Sequence, residues 1–358
     1  MSSPSLVSRV RFARALGSKP FALVWAGQTI SSLGDGVTLT ALAWQVLVLT
    51  GSGTAMGAVL IAETIPRVLF LLLGGVVADR FSRRKVMIWS DSVRGIAVAA
   101  IAVLGQLNVL ALWHLIVLGA IFGMASAFFF PAYQSIPPQL VDAEQLPSAN
   151  ALTGLSRQMS QLFGPALGAT LVALSDPSAA FAIDALSFGV SAACLFALRL
   201  PPRPKAAEHD GRTRGARGIA VDIREGLGYV LRSPWLWVTI TIASLGNVGL
   251  APMQVALPKL IKDVYGQGVW LLGATGTAIA AGSVVTMMIV GQAKRLRHRG
   301  VLAYGGLLFS SVAVMVFGLP LPHQYAPAIA ITASVFFGAG LAIFEVIWVT
   351  TLQQLVPP

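Results

Sequence analysis

Tyr133-Gln134-Ser135-Ile136-Pro137-Pro138-Gln139-Leu140-Val141 is echoed, 215 residues later, by Trp348-Val349-Thr350-Thr351-Leu352-Gln353-Gln354-Leu355-Val356. Phe337-Gly338 falls on Phe122-Gly123 at the same spacing, and Ser244-Leu245-Gly246-Asn247 echoes Ser32-Leu33-Gly34-Asp35 at a spacing of 212. Gly291, followed by Lys294, Arg295, Arg297 and Arg299, lies 216 residues after Gly75, which is followed by Arg80, Arg83, Arg84 and Lys85. A spacing this constant is the mark of a duplication. Solenoid repeats run to roughly 20–50 residues. A unit four times longer and full of apolar segments predicts instead two like helical bundles in a bilayer. Measured against the first unit, the second reads as incomplete, because the counterpart of residues 143–200 would follow Pro358.

Composition points the same way. Hydrophobic residues make up 56% of the chain and charged residues 11%, with a mean hydropathy of +0.77, where a soluble domain carries roughly one-quarter charged residues. The single cysteine, Cys194, lies in an apolar run, and His114, His209, His298 and His323 are scattered. A disulfide framework, a metal site and a cofactor site are therefore not expected. No G-x-x-x-x-G-K-[S/T] loop occurs, so this chain carries no ATP motor, and Gly51-Ser52-Gly53-Thr54 reads as a hairpin turn rather than a dinucleotide fingerprint. Nothing indicates an enzyme.

Apolar runs of spanning length, ~20 residues, place ten helices at about 22–49, 54–78, 86–106, 109–133, 149–175, 178–200, 234–257, 268–292, 301–319 and 326–350. The fold expected is all-α and polytopic: an N-terminal six-helix bundle over residues 1–200, a basic linker over 201–233, and an incomplete bundle of about four helices over 234–358. Within the linker, Ile219, Ile223, Leu227, Val230 and Leu231 share one helical face, which suits a short amphipathic helix on the membrane surface. Twenty of the 25 Lys and Arg residues fall in the N-terminal tail, between Arg199 and Arg232, and in the loops after the second and eighth helices. The positive-inside rule makes those segments, and with them the N-terminus, cytosolic in a bacterial inner membrane. Lipid headgroups then account for the net charge of +11 without a nucleic-acid partner. No oligomer is indicated.

Gly75-Val76-Val77-Ala78-Asp79-Arg80-Phe81-Ser82-Arg83-Arg84-Lys85 is the most specific local stretch. It resembles the loop between helices 2 and 3 of the major facilitator superfamily, G-x-x-x-D-R-x-G-R-R/K, with Ser82 in place of a glycine. The resemblance implies the two-bundle major facilitator fold and a conformational latch formed by Gly75, Asp79, Arg80 and Arg83. The plain alternative is that Arg80–Lys85 only orients the chain. In the second repeat Arg295 stands where the first has its Asp. Gly154, Gly164, Pro165 and Gly168 resemble the glycine-proline motif of exporters in that family, although ordinary close helix packing also uses such residues. Ser32 to Gly36, Glu63 to Arg67, Asp91 to Arg94 and Asn150 to Leu152 are similar to the branch holding enterobactin exporters and macrolide efflux proteins.

Ionisable groups inside spanning helices are costly unless they face a partner or a wet cavity, which makes them functional candidates. Asp35, lone and near mid-membrane, is the first choice for proton coupling or substrate contact, the alternative being a helix-packing acid satisfied by a neighbour. Glu63 and Arg67, four apart, share a helix face and can neutralise each other, as can Asp91 and Arg94 at three apart. Arg157, Asp184 and Glu345 complete the set, with Glu345 a further coupling or substrate candidate. The reading that follows is a secondary transporter exporting a small amphipathic molecule, drug or siderophore-like, in exchange for protons by alternating access. Two alternatives stay open: a truncated, non-transporting membrane remnant or interaction protein, and a lipid or lysolipid translocase.

Overall fold

The computed structural model describes residues 11–198, 231–291, 298–319, 322 and 324–355. Among these are ten long helices and no strand: α1 Lys19–Thr50, α2 Gly53–Arg80, α3 Arg83–Gln106, α4 Leu112–Gln134, α5 Leu146–Leu174, α6 Pro177–Ala197, α7 Pro234–Lys259, α8 Val269–Gly291, α9 Arg299–Phe317 and α10 Ala326–Leu355. The amphipathic helix expected at 219–231 lies, apart from Leu231, outside the described residues. Leu200–Gln254, with most of α7, is a unit of its own, distinct from Met1–Arg199 with Val255–Pro358.

Over their described residues, eight of these helices are long and apolar enough to cross a membrane, while α5 falls short. The reason for α5 is visible in its packing, since its polar side chains are spent on neighbouring helices rather than offered to lipid. Ser148 Oγ accepts from the Ala15 amide at 3.1 Å, Ser156 Oγ pairs with Thr29 Oγ1 at 2.6 Å, and Ser160 donates to the Ser32 carbonyl. Hydrogen bonds of this kind hold helices together where the surrounding solvent gives no hydrophobic drive. The outward face of α2 shows the opposite pattern: Ile61, Ile65, Val68, Leu69 and Leu72 are all exposed, as lipid-facing side chains are.

Within the larger unit α1 lies against α5 and α6, α2 runs along α4, and α3 packs on α4 and α6. In the second repeat α8 runs along α10, and α9 packs on α10. The buried core between α1, α2, α3, α4 and α6 is built from Ala41, Val46, Val59, Ile101, Leu115, Phe181 and Phe188. The α1–α2 turn closes at Gly51, whose left-handed backbone (φ +62°) lets its N–H return to the Leu47 carbonyl as a C-cap.

The duplication is repeated in the packing. A Cβ on Gly123 would stand 1.9 Å from the Glu63 carbonyl oxygen, and a Cβ on Gly338 would stand 2.0 Å from that of Ile279. Gly338 follows Gly123 by 215 residues and Ile279 follows Glu63 by 216, so the same backbone contact is made once in each repeat. Gly123→Val and Gly338→Val should therefore destabilise alike, each by ~1–3 kcal/mol or more, because the obstruction is backbone and cannot rotate away. Thermal melts of the purified variants in detergent check this; a variant melting like the parent would mean that its helix pair is not in contact at that glycine.

Candidate functional site

Small residues along α1 let two helices reach its backbone. A Cβ at Gly34 would fall 2.2 Å from Asp184 Oδ1, and one at Gly36 would fall 3.0 Å from the Gly164 Cα. Asp184, wholly buried on α6, thus presses its carboxylate against α1. Thr38 donates to Asp184 Oδ2 at 2.6 Å and Ser187 donates to Oδ1 at 3.0 Å, which holds the group in place. Asp35, the neighbour of Gly34, has its Oδ1 buried with no hydrogen-bond partner among the described residues. The charged groups that act on Asp35 are Asp184, Arg94, Asp91 and Glu63. The carboxyl that looks solitary in the sequence is therefore acted on by a second acid, which packs from α6 against the neighbouring Gly34.

A second polar cluster lies deeper along the same helices. Asp91 and Arg94 form an ion pair three residues apart on α3, with Asp91 fully buried and Arg94 5% exposed. Ser191 donates to Asp91 Oδ2 at 2.6 Å, and the Gln28 amide donates to Ser191 Oγ at 2.6 Å. The Arg94 guanidinium carbon lies 4.1 Å from the ring centre of Phe129, 4.7 Å from that of Phe188 and 5.8 Å from that of Phe122. Aromatic faces around a desolvated guanidinium are attractive, and they hold the cation away from lipid. Glu63 and Arg67 pair at 3.4 Å on α2, with Arg67 the more exposed partner. Glu345 is exposed on α10.

The basic loop between α2 and α3 reaches the ends of two other helices. Arg83 donates to the Ser135 carbonyl at the end of α4; Arg84 donates to Leu195 O at 2.6 Å and to Phe196 O at 2.7 Å at the end of α6. The last carbonyls of a helix lack partners within it, and a guanidinium there meets both that need and the helix dipole. Arg84, missing from the sequence-derived site set, is thus a helix-capping residue; nothing in its local sequence names the helix it caps. Gly75 has open space around its α-carbon and Arg80 is exposed. The second-repeat residues Lys294, Arg295 and Arg297 lie outside the described residues.

The glycine-proline stretch of α5 separates into two roles. A Cβ on Gly164 would stand 2.7 Å from the Gly36 Cα, and one on Gly168 would stand 2.6 Å from the Val37 carbonyl oxygen, so both admit α1. Pro165 faces the second repeat, where a Cβ on Gly273 would be 2.7 Å from its carbonyl oxygen and one on Gly276 would be 2.7 Å from its Cβ. A Cβ on Gly154 would meet nothing within 4 Å beyond its own helix among the described residues. α5 consequently packs closely against both α1 and α8.

The family model of the Major Facilitator Superfamily matches residues 24–358. The chain belongs to this superfamily. Among relatives, the MFS-type transporter YfiS of Bacillus subtilis is 29% identical over 347 residues, covering 93% of this chain and 78% of that one. Macrolide efflux protein A of Streptococcus pyogenes is 21% identical over 344 residues, covering 94% and 82%. The multidrug efflux pump Tap of Mycobacterium tuberculosis is 29% identical over 281 residues, covering 74% of this chain and 64% of the pump. A bacterial homologue of the iron transporter ferroportin, solved in an inward-facing state, superposes with a TM-score of 0.70 at 17% identity, over 95% of this chain and 84% of that one. The fold is that of major facilitator transporters, and the chain is a multi-pass membrane transporter, not an enzyme.

Proposed function

We propose that this chain exports a small amphipathic molecule in exchange for protons. The observation that carries the reading is Asp35, an acid inside a spanning helix with a buried oxygen that makes no hydrogen bond among the described residues and with Asp184 packed against the neighbouring Gly34. Such a group is tolerated in a membrane where it works on an ion or a substrate. Export is favoured over import by two relatives, whose names give macrolide efflux and multidrug efflux. The basic segments set the N-terminus on the cytosolic side of a bacterial inner membrane. In this reading the repeats, 1–200 and 234–358, rock about the site, with 201–233 as their cytosolic connection. Gly75, Asp79, Arg80 and Arg83 serve as the latch at that side, and the α5 stretch of Gly164, Pro165 and Gly168 serves as the surface on which neighbouring helices slide. Glu63, with Arg67, is an accessory proton carrier.

Proteoliposomes loaded with a pH-sensitive dye test the reading. Macrolide or cationic-dye addition should move protons with the parent chain, and Asp35→Asn should abolish that movement while leaving the protein folded. Undiminished proton movement in Asp35→Asn would remove Asp35 from the coupling site.

A further inference from the structure

A cavity of ≈ 50 Å³ lies inside the helix bundle, walled by Leu42, Val59, Val98, Leu115 and Phe181, and its wall carries two polar side chains, Thr38 and Glu63. One water needs ~10–15 Å³ on this measure, so the space takes a short file of waters, and the hydroxyl and carboxyl supply the polar contacts that a buried water requires. Leu115 and Phe181 stand near the starts of α4 and α6, and Leu42 near the end of α1. The cavity therefore occupies the end of the bundle opposite the basic α2–α3 loop. Thr38 belongs to two structures at once, as it lines the cavity and donates to Asp184 at 2.6 Å. Glu63 likewise bridges two environments, since its side chain is 22% exposed beside Arg67 and also lines the cavity.

We propose that Asp184 is a second proton-carrying carboxyl of the transport site, reached from Glu63 through water in this cavity and the Thr38 hydroxyl. The inference rests on the reading of the chain as proton-coupled. In the relay, Glu63 as a carboxylic acid releases its proton to the cavity water. The water file delivers one proton to Thr38 Oγ1, whose own hydrogen moves along the existing bond to Asp184 Oδ2. Glu63 ends as a carboxylate, Asp184 as a carboxylic acid, and Thr38 and water are unchanged; rotation of the hydroxyl resets the path. Asp35 stands next in line, one residue along α1 from Gly34, against which Asp184 packs. The charged groups acting there are Arg94 and Asp91 from α3 and Glu63 from α2. The α5 group reaching α1 at this level is the uncharged Ser160, while Arg157 is exposed.

Infrared spectroscopy of the full chain in lipid, following the carboxylic-acid C=O stretch after a jump to acid pH, tests the relay without any substrate. The parent should show a protonated-carboxyl band that Asp184→Asn removes. Thr38→Val keeps the shape of the site and both acids. It should leave the final band and slow its appearance by roughly tenfold or more, as should Glu63→Gln. A band that survives Asp184→Asn, or one that fills at the parent rate in Thr38→Val, would overturn the proposal. Should Asp184→Asn not yield folded protein, Thr38→Val decides the matter alone. Loss of coupled proton movement in Asp35→Asn together with parent-like kinetics in Thr38→Val would discard the route and keep proton coupling. Normal proton movement in Asp35→Asn would discard Asp35's coupling role, whatever the infrared result.

Discussion

Asp91→Leu is expected to cost about 3–5 kcal/mol, because it leaves a buried guanidinium without its counter-charge. Arg94 is 5% exposed and has aromatic rings from α4 and α6 around it, so it has no route to water that keeps those contacts. Ser191 would also lose its acceptor at 2.6 Å, and the Gln28 amide would lose its bond to Asp91 Oδ2 at 3.4 Å. The readout is a large fall in melting temperature and in the monodisperse fraction in mild detergent. Asp91→Leu combined with Arg94→Met should recover most of the loss, since an apolar pair of similar volume removes both desolvation costs together. Arg94→Lys should not recover it, because an ammonium lacks the flat face that stacks on Phe129 and Phe188. If Asp91→Leu alone melts like the parent, the cluster is not the electrostatic centre of the bundle.

The helices are legible in the sequence because an apolar run writes its length: ten helices are found where ten are expected, eight of them long and apolar enough over their described residues to cross a membrane. Pairs within one helix are legible for a similar reason: three- and four-residue spacing places Asp91 near Arg94 and Glu63 near Arg67. Contacts across helices are not written that way. Thr38 and Asp184 are 146 residues apart, and Ser191 is 100 residues from Asp91; which faces meet depends on the whole bundle. The same limit hides Arg84, whose basic neighbours look like an orientation signal and whose partners are carbonyls 111 and 112 residues away. Even Asp35, found as a lone acid, changes meaning once Asp184 is placed on Gly34. Repetition is the exception, since it lets one contact predict another. The Gly123–Glu63 and Gly338–Ile279 approaches follow from one duplicated pattern.

Gly273→Leu is expected to stop transport while leaving the helices formed. A Cβ at this position would lie 2.3 Å from the Ala169 Cβ and 2.7 Å from the Pro165 carbonyl oxygen, so α5 and α8 must move apart to admit any side chain. These two helices belong to different repeats, and their contact is where the repeats touch most extensively through described residues. If the repeats rock against each other, a leucine wedged at this seam holds one arrangement and raises the energy of the other. The stability loss from overpacking should be modest, ~1–3 kcal/mol, as helices in lipid separate more readily than a closed soluble core. The transport loss should be far larger, because every cycle must pass through both arrangements. Helicity by circular dichroism and elution on size exclusion report folding; dye efflux from proteoliposomes reports transport. Gly273→Ala should fall between leucine and the parent, because a single methyl still meets the Ala169 side chain. Gly154→Ala is the matched control from the α5 stretch: with open space around it, it should preserve both folding and efflux, and alanine favours the helix slightly. Full efflux from a folded Gly273→Leu protein would show that the seam does not move during transport, and the rocking would have to be sought at another helix pair.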